Sequence, residues 1–384
     1  METKELLQRL IAFPTISRDP NRALINFCAD LLRAAGAQVT LIEDDTGQKA
    51  NLYATVGPRD RPGILLSGHT DVVPVVGQNW TVPAFDLTKA GGKLYGRGTA
   101  DMKGFVACAL AAALKAASMG LQTPLHLALS YDEEIGCVGV RSLIDMLAQA
   151  PFRPTFCIVG DPTQMAVATG HKGKTACRVT CTGREAHSAL APTGLNAIHL
   201  ACDLIGVLRD MQAQIAQAAP QDDDDTVPYT TVHVGVIKSG SALNIVPNRA
   251  EFDFEIRNLV DTDPDVLLNQ ISAQTDKLIA PHRADFAEAA INIAVTNQYP
   301  ALGTADDAEV VAFVKSLTGL NATTTVAFGT DGGLFSQELG IPTVICGPGS
   351  MAQGHRPDEF ISTAQLSKCD AMLDALLDRL ASGI

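Results

Sequence analysis

Apolar residues follow two alternating patterns along residues 1–170, one with the spacing of a helix face and one in short runs typical of buried strands. Residues 4–13 and 22–35 have the helical spacing, and helices are also predicted at residues 104–119, which contain a continuous apolar run, and 138–149. Strands are predicted at residues 38–42, 51–56, 63–67, 125–130 and 156–159. This alternation predicts an α/β domain in which helices cover a central, mostly parallel sheet. Ligands of such sheets bind beyond the carboxyl ends of the strands.

A different order of elements begins near residue 175. Strands at residues 175–182, 230–238, 250–257 and 285–293 alternate with helices at residues 196–218 and 264–280, in the order β-α-β-β-α-β of a ferredoxin-like unit. The first pattern then resumes, with helices at residues 306–317 and 364–380 and strands at residues 323–327 and 343–346. We therefore predict one α/β catalytic domain, formed by residues 1–174 and 294–384, with an inserted ferredoxin-like α+β lid at residues 175–293.

The composition of the 384 residues, 46% hydrophobic and 18% charged, is that of a globular chain with a large core. A net charge of −13 argues against a nucleic-acid partner, because phosphate backbones would be repelled. The longest apolar run, residues 105–114, is about half of the ~20 residues that a membrane span needs, so no membrane partner is expected. The first residues lack the layout of a signal peptide, and nine scattered cysteines suit reduced thiols, so we expect a cytoplasmic protein.

The only low-complexity segment is a run of aspartates at residues 222–225. Such a run could bind a cation or dock a partner, or it could simply be a solvated loop. Like charges repel one another and stay hydrated, which favours the loop.

Chemically active side chains follow predicted strands or strand-to-helix turns at five places. They are His69 with Asp71, Asp101, Glu133 with Glu134, Asp161, and His355. Taken singly, each has an ordinary explanation as a turn, a helix cap or a solvated loop. Their joint occurrence where strands end predicts that they converge on one edge of the sheet. Imidazole and carboxylate ligands suit Zn²⁺, Co²⁺ or Mn²⁺, and the lack of a thiolate argues against a purely structural zinc site.

Spacing within two of these segments indicates separate tasks for neighbouring side chains. Asp71 lies two residues after His69, on the same face of an extended segment, and could therefore orient the imidazole. Glu133 and Glu134 are adjacent, so their side chains diverge, and one can bind metal while the other remains free as a general base.

These motifs resemble those of the M20 metallopeptidase family, and within it the acetylornithine deacetylase branch. The resemblance is carried by residues 67–74, 95–105, 130–139, 187–189, 244, 257, 328–335 and 347–360, and so spans nearly the whole chain. The His-Thr-Asp motif at residues 69–71 and the Gly-x-x-Asp-Met-Lys-Gly motif at residues 98–104 are its most specific parts, and the Gln-Asn-Trp at residues 78–80 is similar to the deacetylase branch.

The resemblance implies hydrolysis of the amide bond of an N-acyl amino acid. The substrate would be N-acetyl-L-ornithine, cleaved to L-ornithine and acetate as in arginine biosynthesis. A succinyl-diaminopimelate desuccinylase, another N-acyl-amino-acid deacylase or a dipeptidase on the same scaffold are the alternatives.

The resemblance also implies two Zn²⁺ ions per subunit, with Co²⁺ or Mn²⁺ as possible substitutes. His69 and Asp161 would hold one ion. Glu134 and His355 would hold the second, and Asp101 would bridge the two. Asp71 would stand behind His69, and Glu133 would take a proton from the attacking water and give it to the leaving amine.

Four further residues have implied roles in catalysis or substrate binding. His187 would reach the developing oxyanion, and in family members it comes from the partner subunit of a homodimer. Asn244 and Arg257 would bind the substrate, with the Arg257 guanidinium as a fork for the α-carboxylate. Backbone amides of the turn at Gly329 and Thr330 would lie nearby. Without the resemblance, a loop histidine, a turn asparagine and a strand-end arginine would be ordinary surface features.

The chain departs from the deacetylase pattern at two places. Asp161 stands where the deacetylases commonly have Glu, and aspartate there is more usual in aminopeptidase-type members. The sequence Gly-Thr-Asp-Gly-Gly at residues 329–333 replaces the usual Gly-Thr-Glu-Ala-Gly. Both departures concern the identity of the substrate more than the class of reaction.

Two functions of other classes are less compatible with the sequence. A metal-binding protein without catalytic activity would be expected to lose ligand or base positions, and none is lost here. A dinucleotide-binding oxidoreductase would need Gly-x-Gly-x-x-Gly after a strand, and no predicted strand is followed by that motif.

Overall fold

The computed structural model describes residues 1–218 and 227–384, which divide into two compact units. The interrupted unit consists of Met1–His171 and Leu302–Ile384, and the inserted unit is Lys172–Ala301. The insertion predicted at residues 175–293 thus begins three residues after the inserted unit does and ends eight residues before it. The aspartate run at residues 222–225 lies outside the described residues.

Residues 1–171 alternate helix and strand. The helices are α1 (Thr3–Ile11), α2 (Arg22–Ala34), α3 (Lys103–Ala116) and α4 (Val140–Ala148). The strands are β1 (Gln38–Glu43), β2 (Ala50–Val56), β3 (Ile64–His69), β4 (Thr88–Ala90), β5 (Lys93–Tyr95), β6 (Leu125–Ser130), β7 (Phe156–Pro162) and β8 (Val167–His171). Every helix and strand predicted in this region is present. The strands that the apolar pattern did not predict, β4, β5 and β8, are short.

The inserted unit contains β9 (Lys174–Thr182), β10 (Ala186–His187), α5 (Ala197–Ala218), β11 (Thr231–Ser239), β12 (Ile245–Val246), β13 (Arg249–Arg257), α6 (Pro264–Ile279) and β14 (Ala290–Tyr299). Its four long strands form an antiparallel sheet in the order β11-β13-β9-β14, and β10 pairs with β12. This is the predicted ferredoxin-like arrangement. An Asp263 side chain caps α6 by accepting a hydrogen bond from the amide of Asp265 at 2.9 Å.

The strand predicted at residues 285–293 was wrong in its bounds, because β14 runs from Ala290 to Tyr299. The amides of Asp285 and Phe286 instead donate to the carbonyl of His282, which makes a turn after α6. Phe286 nevertheless packs against the core of the inserted unit. The sequence prediction therefore included the buried apolar side chain of this turn in the strand.

The chain then returns with β15 (Leu302–Gly303), α7 (Glu309–Thr318), β16 (Thr323–Val326), α8 (Gly332–Leu339), β17 (Thr343–Gly347), β18 (Phe360–Ser362) and α9 (Thr363–Ser382). Helix α8 was not predicted. Two glycines begin it, and glycine is a poor helix former, so the sequence pattern suggested only a turn.

A mixed sheet is the centre of the interrupted unit. Within Met1–His171 and Leu302–Ile384, its strand order is β1-β2-β6-β3-β7-β17-β8-β15, and β16 also pairs with β8. Strands β6, β3, β7 and β17 run parallel to one another. Their carboxyl ends therefore lie along one edge, and His69 and Ser130 stand at two of these ends. The structure confirms the predicted α/β fold with a central mixed sheet.

Helix α3 packs close to this sheet. Its run of apolar residues is buried on nearly all sides, which explains the lack of an amphipathic pattern. A Cβ atom added at Gly160 of β7 would stand 1.9 Å from the ring of Phe105, so only glycine fits there. This contact fixes the backbone directly before Asp161.

Membrane insertion by a helix has no support in the structure. None of the helices in residues 1–218 and 227–384 is both long and apolar enough to span a bilayer.

Candidate metal centre

His69 is the centre of a first group of three possible metal ligands. It ends β3 and is 2% exposed. Its Nε2 atom lies 3.2 Å from Oδ1 of Asp101, on the turn before α3, and 3.7 Å from Oδ1 of Asp161 in the adjacent strand β7. The ligand atoms of all three residues lie within 4.8 Å of one another, which one metal ion can span.

A second group of three contains Glu134, His355 and again Asp101. The Nε2 atom of His355 lies 2.9 Å from Oε2 of Glu134 and 3.1 Å from Oδ2 of Asp101. Glu134 lies on the turn after β6, whereas His355 lies on the loop between β17 and β18 and its side chain is 47% exposed. The structure thus brings together the five residues that the sequence singled out as ligands.

Asp101 belongs to both groups because its two carboxylate oxygens face different histidines. Oδ1 faces His69 and Oδ2 faces His355. This is the geometry of a carboxylate that bridges two ions. The donor set of imidazoles and carboxylates fits divalent zinc, cobalt or manganese. Within the described residues, the buried Oε1 atom of Glu134 has no hydrogen-bond partner, as expected of an atom that would bind a metal.

Carboxylates surround both histidines and raise their pKa values. Asp101 and Glu134 raise the pKa of His355 to about 10. Burial alone would lower the pKa of His69, but Asp101, Asp161 and Asp71 together raise it well above its ordinary value. The carboxylates thus favour positive charge at each imidazole, as they would favour a divalent cation.

Glu133 stands beside the first group and belongs to neither. Its Oε2 atom lies 3.9 Å from Nε2 of His69. Burial raises the pKa of the Glu133 carboxyl well above its usual range, and the charges of Asp161 and Asp331 raise it further. A carboxyl group in such a setting takes up a proton more readily than an exposed glutamate does, which suits a group that transfers protons.

Three residues surround Glu133 without an evident signal in the sequence. The Cys137 thiol donates a hydrogen bond to Oε1 of Glu133 at 3.5 Å, and Ser130 donates to Oδ2 of Asp331 at 2.7 Å. Glu133, Cys137 and Asp331 also form a third close group of possible ligand atoms. Burial raises the pKa of Asp331 to about 6. In the sequence, Asp331 stood out only as a departure from the deacetylase pattern.

Asp71 holds His69 differently from the expected arrangement. The Nδ1 atom of His69 lies 3.0 Å from the backbone oxygen of Asp71, but 3.5 Å from its carboxylate. The carboxylate instead accepts hydrogen bonds from the Ser17 hydroxyl at 2.7 Å and from the amides of Glu133 and Glu134 at 3.1 and 3.3 Å. These three donors draw the carboxylate towards the turn after β6.

A buried ion pair supports the turn that carries Asp101. Glu359 accepts a hydrogen bond from Arg97 at 2.7 Å, and both side chains are 1% exposed. The Glu359 carboxylate also accepts from the amides of Gly98, Ala100 and Asp101 at 2.8 to 3.1 Å. The Glu359 carboxylate thus holds the backbone amides of the turn that precedes α3. The sequence placed Glu359 in a motif but did not indicate this contact.

His187 and Asn244, two of the predicted catalytic or binding residues, lie close together in the inserted unit. Both are exposed. The amide of Ser188 donates to the carbonyl of Asn244 at 3.0 Å, and His187 pairs with Ile245 across β10 and β12. The Nδ1 atom of His187 accepts a hydrogen bond from the amide of Ala189 at 3.1 Å, which orients the ring. Nε2 is the ring nitrogen that does not take part in this hydrogen bond.

Arg257 ends β13 and is held by two neighbours. Its Nε atom donates to Glu255 at 3.0 Å, and Nη1 donates to the Tyr299 hydroxyl at 2.8 Å. The side chain is 28% exposed, so part of the guanidinium faces solvent. Glu255 and Tyr299 therefore orient the Arg257 guanidinium, which was expected to bind the carboxylate of a substrate.

The segment with Gly329 and Thr330 leads directly into α8. Thr330 is fully buried, and its hydroxyl accepts a hydrogen bond from the amide of Gly332 at 3.0 Å. The Thr330 hydroxyl thus holds the first amide of α8. Asp331 follows Thr330 and points towards Ser130, which joins this segment to the group around Glu133.

Comparison with known proteins identifies a family and named relatives. The family described as "Peptidase family M20/M25/M40" matches residues 65–379. An acetylornithine deacetylase from Myxococcus xanthus is 35% identical over 98% of this chain and 97% of its own length. An acetylornithine deacetylase from Pasteurella multocida is 33% identical over 99% of this chain and 98% of its own length.

Solved structures show the same fold at lower sequence identity. An M20 family metallo-carboxypeptidase from Sulfolobus solfataricus has a TM-score of 0.81 at 18% identity, with all of both chains covered. A dinuclear metal-binding peptidase of the M20 family from Bacillus subtilis has a TM-score of 0.67 at 13% identity, with 98% of this chain and 97% of the other covered.

Proposed function

The chain belongs to peptidase family M20/M25/M40, and from this premise we propose that it removes the acetyl group from N-acetyl-L-ornithine to release L-ornithine and acetate. The observation that carries the proposal is the pair of ligand groups that share Asp101, with the free carboxyl of Glu133 beside them. Members of this family are metal-dependent hydrolases. Relatives named acetylornithine deacetylase that align over nearly the whole chain support the choice of substrate.

In this proposal, the residues predicted from the sequence would hold two Zn²⁺ ions. His69 and Asp161 would hold the first ion. Glu134 and His355 would hold the second, and Asp101 would be shared by both. When bound, such ions lower the pKa of water at the site and withdraw electrons from the amide carbonyl. Zinc is our choice among the metals that this donor set accepts, and Co²⁺ and Mn²⁺ are substitutes.

Glu133 moves the proton. Its carboxylate accepts a proton from the attacking water and later delivers that proton to the nitrogen of the leaving amine. The burial and the neighbouring carboxylates that raise its pKa favour the second transfer, because they stabilise the protonated form of Glu133 relative to its carboxylate. Asp71 supports this step by holding the backbone amide of Glu133.

Residues of the inserted unit recognise the substrate. Arg257 binds the α-carboxylate through the part of its guanidinium that Glu255 and Tyr299 leave exposed. Asn244 contributes a further polar contact, and His187 donates to the developing oxyanion. Backbone amides near Gly329 and Thr330 complete the site.

Assembly and compartment complete the proposal. We propose a homodimer in which His187 serves the site of the other subunit, as the family resemblance implies. All nine cysteines are free thiols, eight of them buried, which suits a reducing cytoplasm.

Dipeptide hydrolysis is the second candidate. It is favoured by Asp161, because aspartate at this position is more usual in aminopeptidase-type members than in deacetylases. The shorter carboxylate lies 3.7 Å from Nε2 of His69. Activity on a dipeptide above that on the acetylated substrate would make this the main function.

The test is hydrolysis of N-acetyl-L-ornithine by metal-stripped protein, with and without added Zn²⁺ or Co²⁺. We expect metal-dependent release of ornithine, with a higher kcat/KM than on N-succinyl-diaminopimelate or on a dipeptide measured in parallel. A higher kcat/KM on one of those two substrates would refute the substrate assignment. Equal rates with and without metal would refute the metal mechanism.

A further inference from the structure

The two ligand groups differ in how firmly the fold holds them. In the first group, His69 and Asp161 belong to strands β3 and β7, which pair with neighbours on both sides within the central sheet. In the second group, Glu134 and His355 lie on turns. His355 also has a positive φ of 61°, which is unusual for a residue other than glycine. The position of His355 therefore depends on contacts made by its loop.

Gln78 makes such a contact with the backbone of His355. Its Nε2 atom donates a hydrogen bond to the carbonyl oxygen of His355 at 3.0 Å. Its Oε1 atom accepts hydrogen bonds from Nη2 of Arg97 at 2.5 Å and from Nε1 of Trp80 at 3.0 Å. The amide of Gln78 is thus fully oriented by its neighbours, and one end of it holds the loop that carries His355.

Arg97 extends this contact to the shared ligand. Its guanidinium donates to the carbonyl of Arg356 at 3.3 Å and lies 5.0 Å from the ring centroid of Trp80. It also pairs with Glu359, which holds the amide of Asp101 at 3.1 Å. The buried guanidinium of Arg97 thereby joins the loop of His355 to the turn of Asp101, and Gln78 orients that guanidinium.

We propose that Gln78 is a positioning residue that sets the metal affinity of the second ligand group, formed by Asp101, Glu134 and His355. The inference rests on the proposed function, since it requires that two ions bind. It gives a structural reason why the two ligand groups should bind metal with different affinities. The first is built into the sheet, and the second depends on a side-chain amide that holds a loop.

The variant Gln78→Glu separates the two contacts of this side chain. A glutamate of the same shape still accepts hydrogen bonds from Arg97 and Trp80, but it cannot donate to the carbonyl of His355. Its added negative charge would by itself attract cations, so a loss of metal affinity can come only from the lost positioning. Gln78→Ala removes both contacts. The residue is only half-buried, so neither variant threatens the fold.

The experiment is a calorimetric titration of Zn²⁺ into metal-stripped full-length protein. We expect two ions to bind to the wild type, and Gln78→Glu and Gln78→Ala to weaken one of them by about 10-fold or more, the usual effect of removing an outer partner of a metal ligand. In a His355→Ala background, which removes the second position, Gln78→Glu should leave the affinity for the remaining ion unchanged.

The matched control is Gln365→Ala. Gln365 is also half-buried and accepts a hydrogen bond from the amide of Gly349 at 3.2 Å, outside the contacts of Gln78. It should retain both zinc affinities. The inference is overturned if Gln78→Glu binds both ions as the wild type does, or if Gln365→Ala weakens the same ion equally. A wild type that binds fewer than two ions overturns the proposed metal pair and this inference together, and that result is visible before any variant is made.

Discussion

The carboxylate of Asp71 accepts a hydrogen bond from the backbone amide of Glu133 at 3.1 Å. The backbone carbonyl of the same residue lies 3.0 Å from Nδ1 of His69. Asp71 therefore contacts a proposed metal ligand with its backbone and the proposed proton-transfer residue with its side chain. It adds to the pairing of β3 with β6, which already brings these two segments together.

Asp71→Asn should lower both kcat and zinc affinity by about 10- to 100-fold. The Asp71 carboxylate accepts hydrogen bonds from the Ser17 hydroxyl and the amides of Glu133 and Glu134. The NH₂ group of an asparagine cannot accept, so at least one of these three hydrogen bonds would be lost. Steady-state kinetics together with a Zn²⁺ titration measure the two effects.

Ser17→Ala is the graded comparison for this prediction. It removes one hydrogen bond to Asp71 and leaves the carboxylate in place. The amides of Glu133 and Glu134 still donate to the carboxylate in this variant, so we expect an effect clearly smaller than that of Asp71→Asn. A Ser17→Ala effect as large as that of Asp71→Asn would contradict the view that the carboxylate itself organises the turn.

Glu133→Gln should reduce kcat by about 10²- to 10⁴-fold and leave the zinc content unchanged, because Glu133 transfers a proton without binding metal. Glu134→Gln is the matched variant one residue away. It should weaken binding of one zinc ion, since Oε2 of Glu134 lies 2.9 Å from Nε2 of His355 within the second ligand group. Metal analysis of both variants, with rates measured at saturating Zn²⁺, distinguishes the two roles. An exchange of these phenotypes would reverse the assignment of the two carboxylates.

The sequence predicted most of this site because strand ends are encoded locally. His69 and Asp161 follow runs of buried strand residues, and parallel strands bring such ends to one edge. Contacts between distant segments carry no local pattern. Ser130 and Asp331 are separated by 201 residues, and Gln78 and His355 by 277, so their hydrogen bonds became visible only in the folded chain.

The same limit applies to the fold. Most of the long helices and strands have apolar faces that repeat with a regular period, and these were predicted with small errors at their ends, except for β14. Helix α8 begins with two glycines and follows Thr330 and Asp331, whose burial is a tertiary effect. Local propensity therefore favoured a turn where packing imposes a helix.

Arg257→Lys should raise the KM for N-acetyl-L-ornithine by about 10-fold and change kcat little. Lysine keeps the charge but cannot bind a carboxylate with two parallel hydrogen bonds, and it loses the orientation provided by Glu255 and Tyr299. A charge-assisted hydrogen bond contributes roughly 1.5–3 kcal/mol, which corresponds to at least tenfold in affinity.

Arg178→Lys is the control for this substitution. Arg178 makes an exposed ion pair with Asp253 in the same sheet, at 2.8 Å, and has no proposed contact with substrate. It should leave KM unchanged. If both arginine variants raise KM alike, the effect of Arg257 comes from the stability of the sheet and not from substrate binding.

The stability of the interrupted unit should fall below pH 6.5 because of His126. This residue of β6 is 8% exposed, stacks on Tyr53 with ring centroids 5.4 Å apart, and burial lowers its pKa to about 4. Above the unfolded-state pKa of about 6.5 the ring is neutral in both states, so folding carries no penalty. As the pH falls towards 4, the unfolded chain binds a proton that the folded chain does not bind, and up to about 3 kcal/mol of stability is lost.

His126→Phe keeps a buried ring without a titrating group. Urea unfolding of both proteins at several values between pH 7 and 4.5 should show a smaller decrease for the variant, and parallel decreases would disprove the assignment to His126.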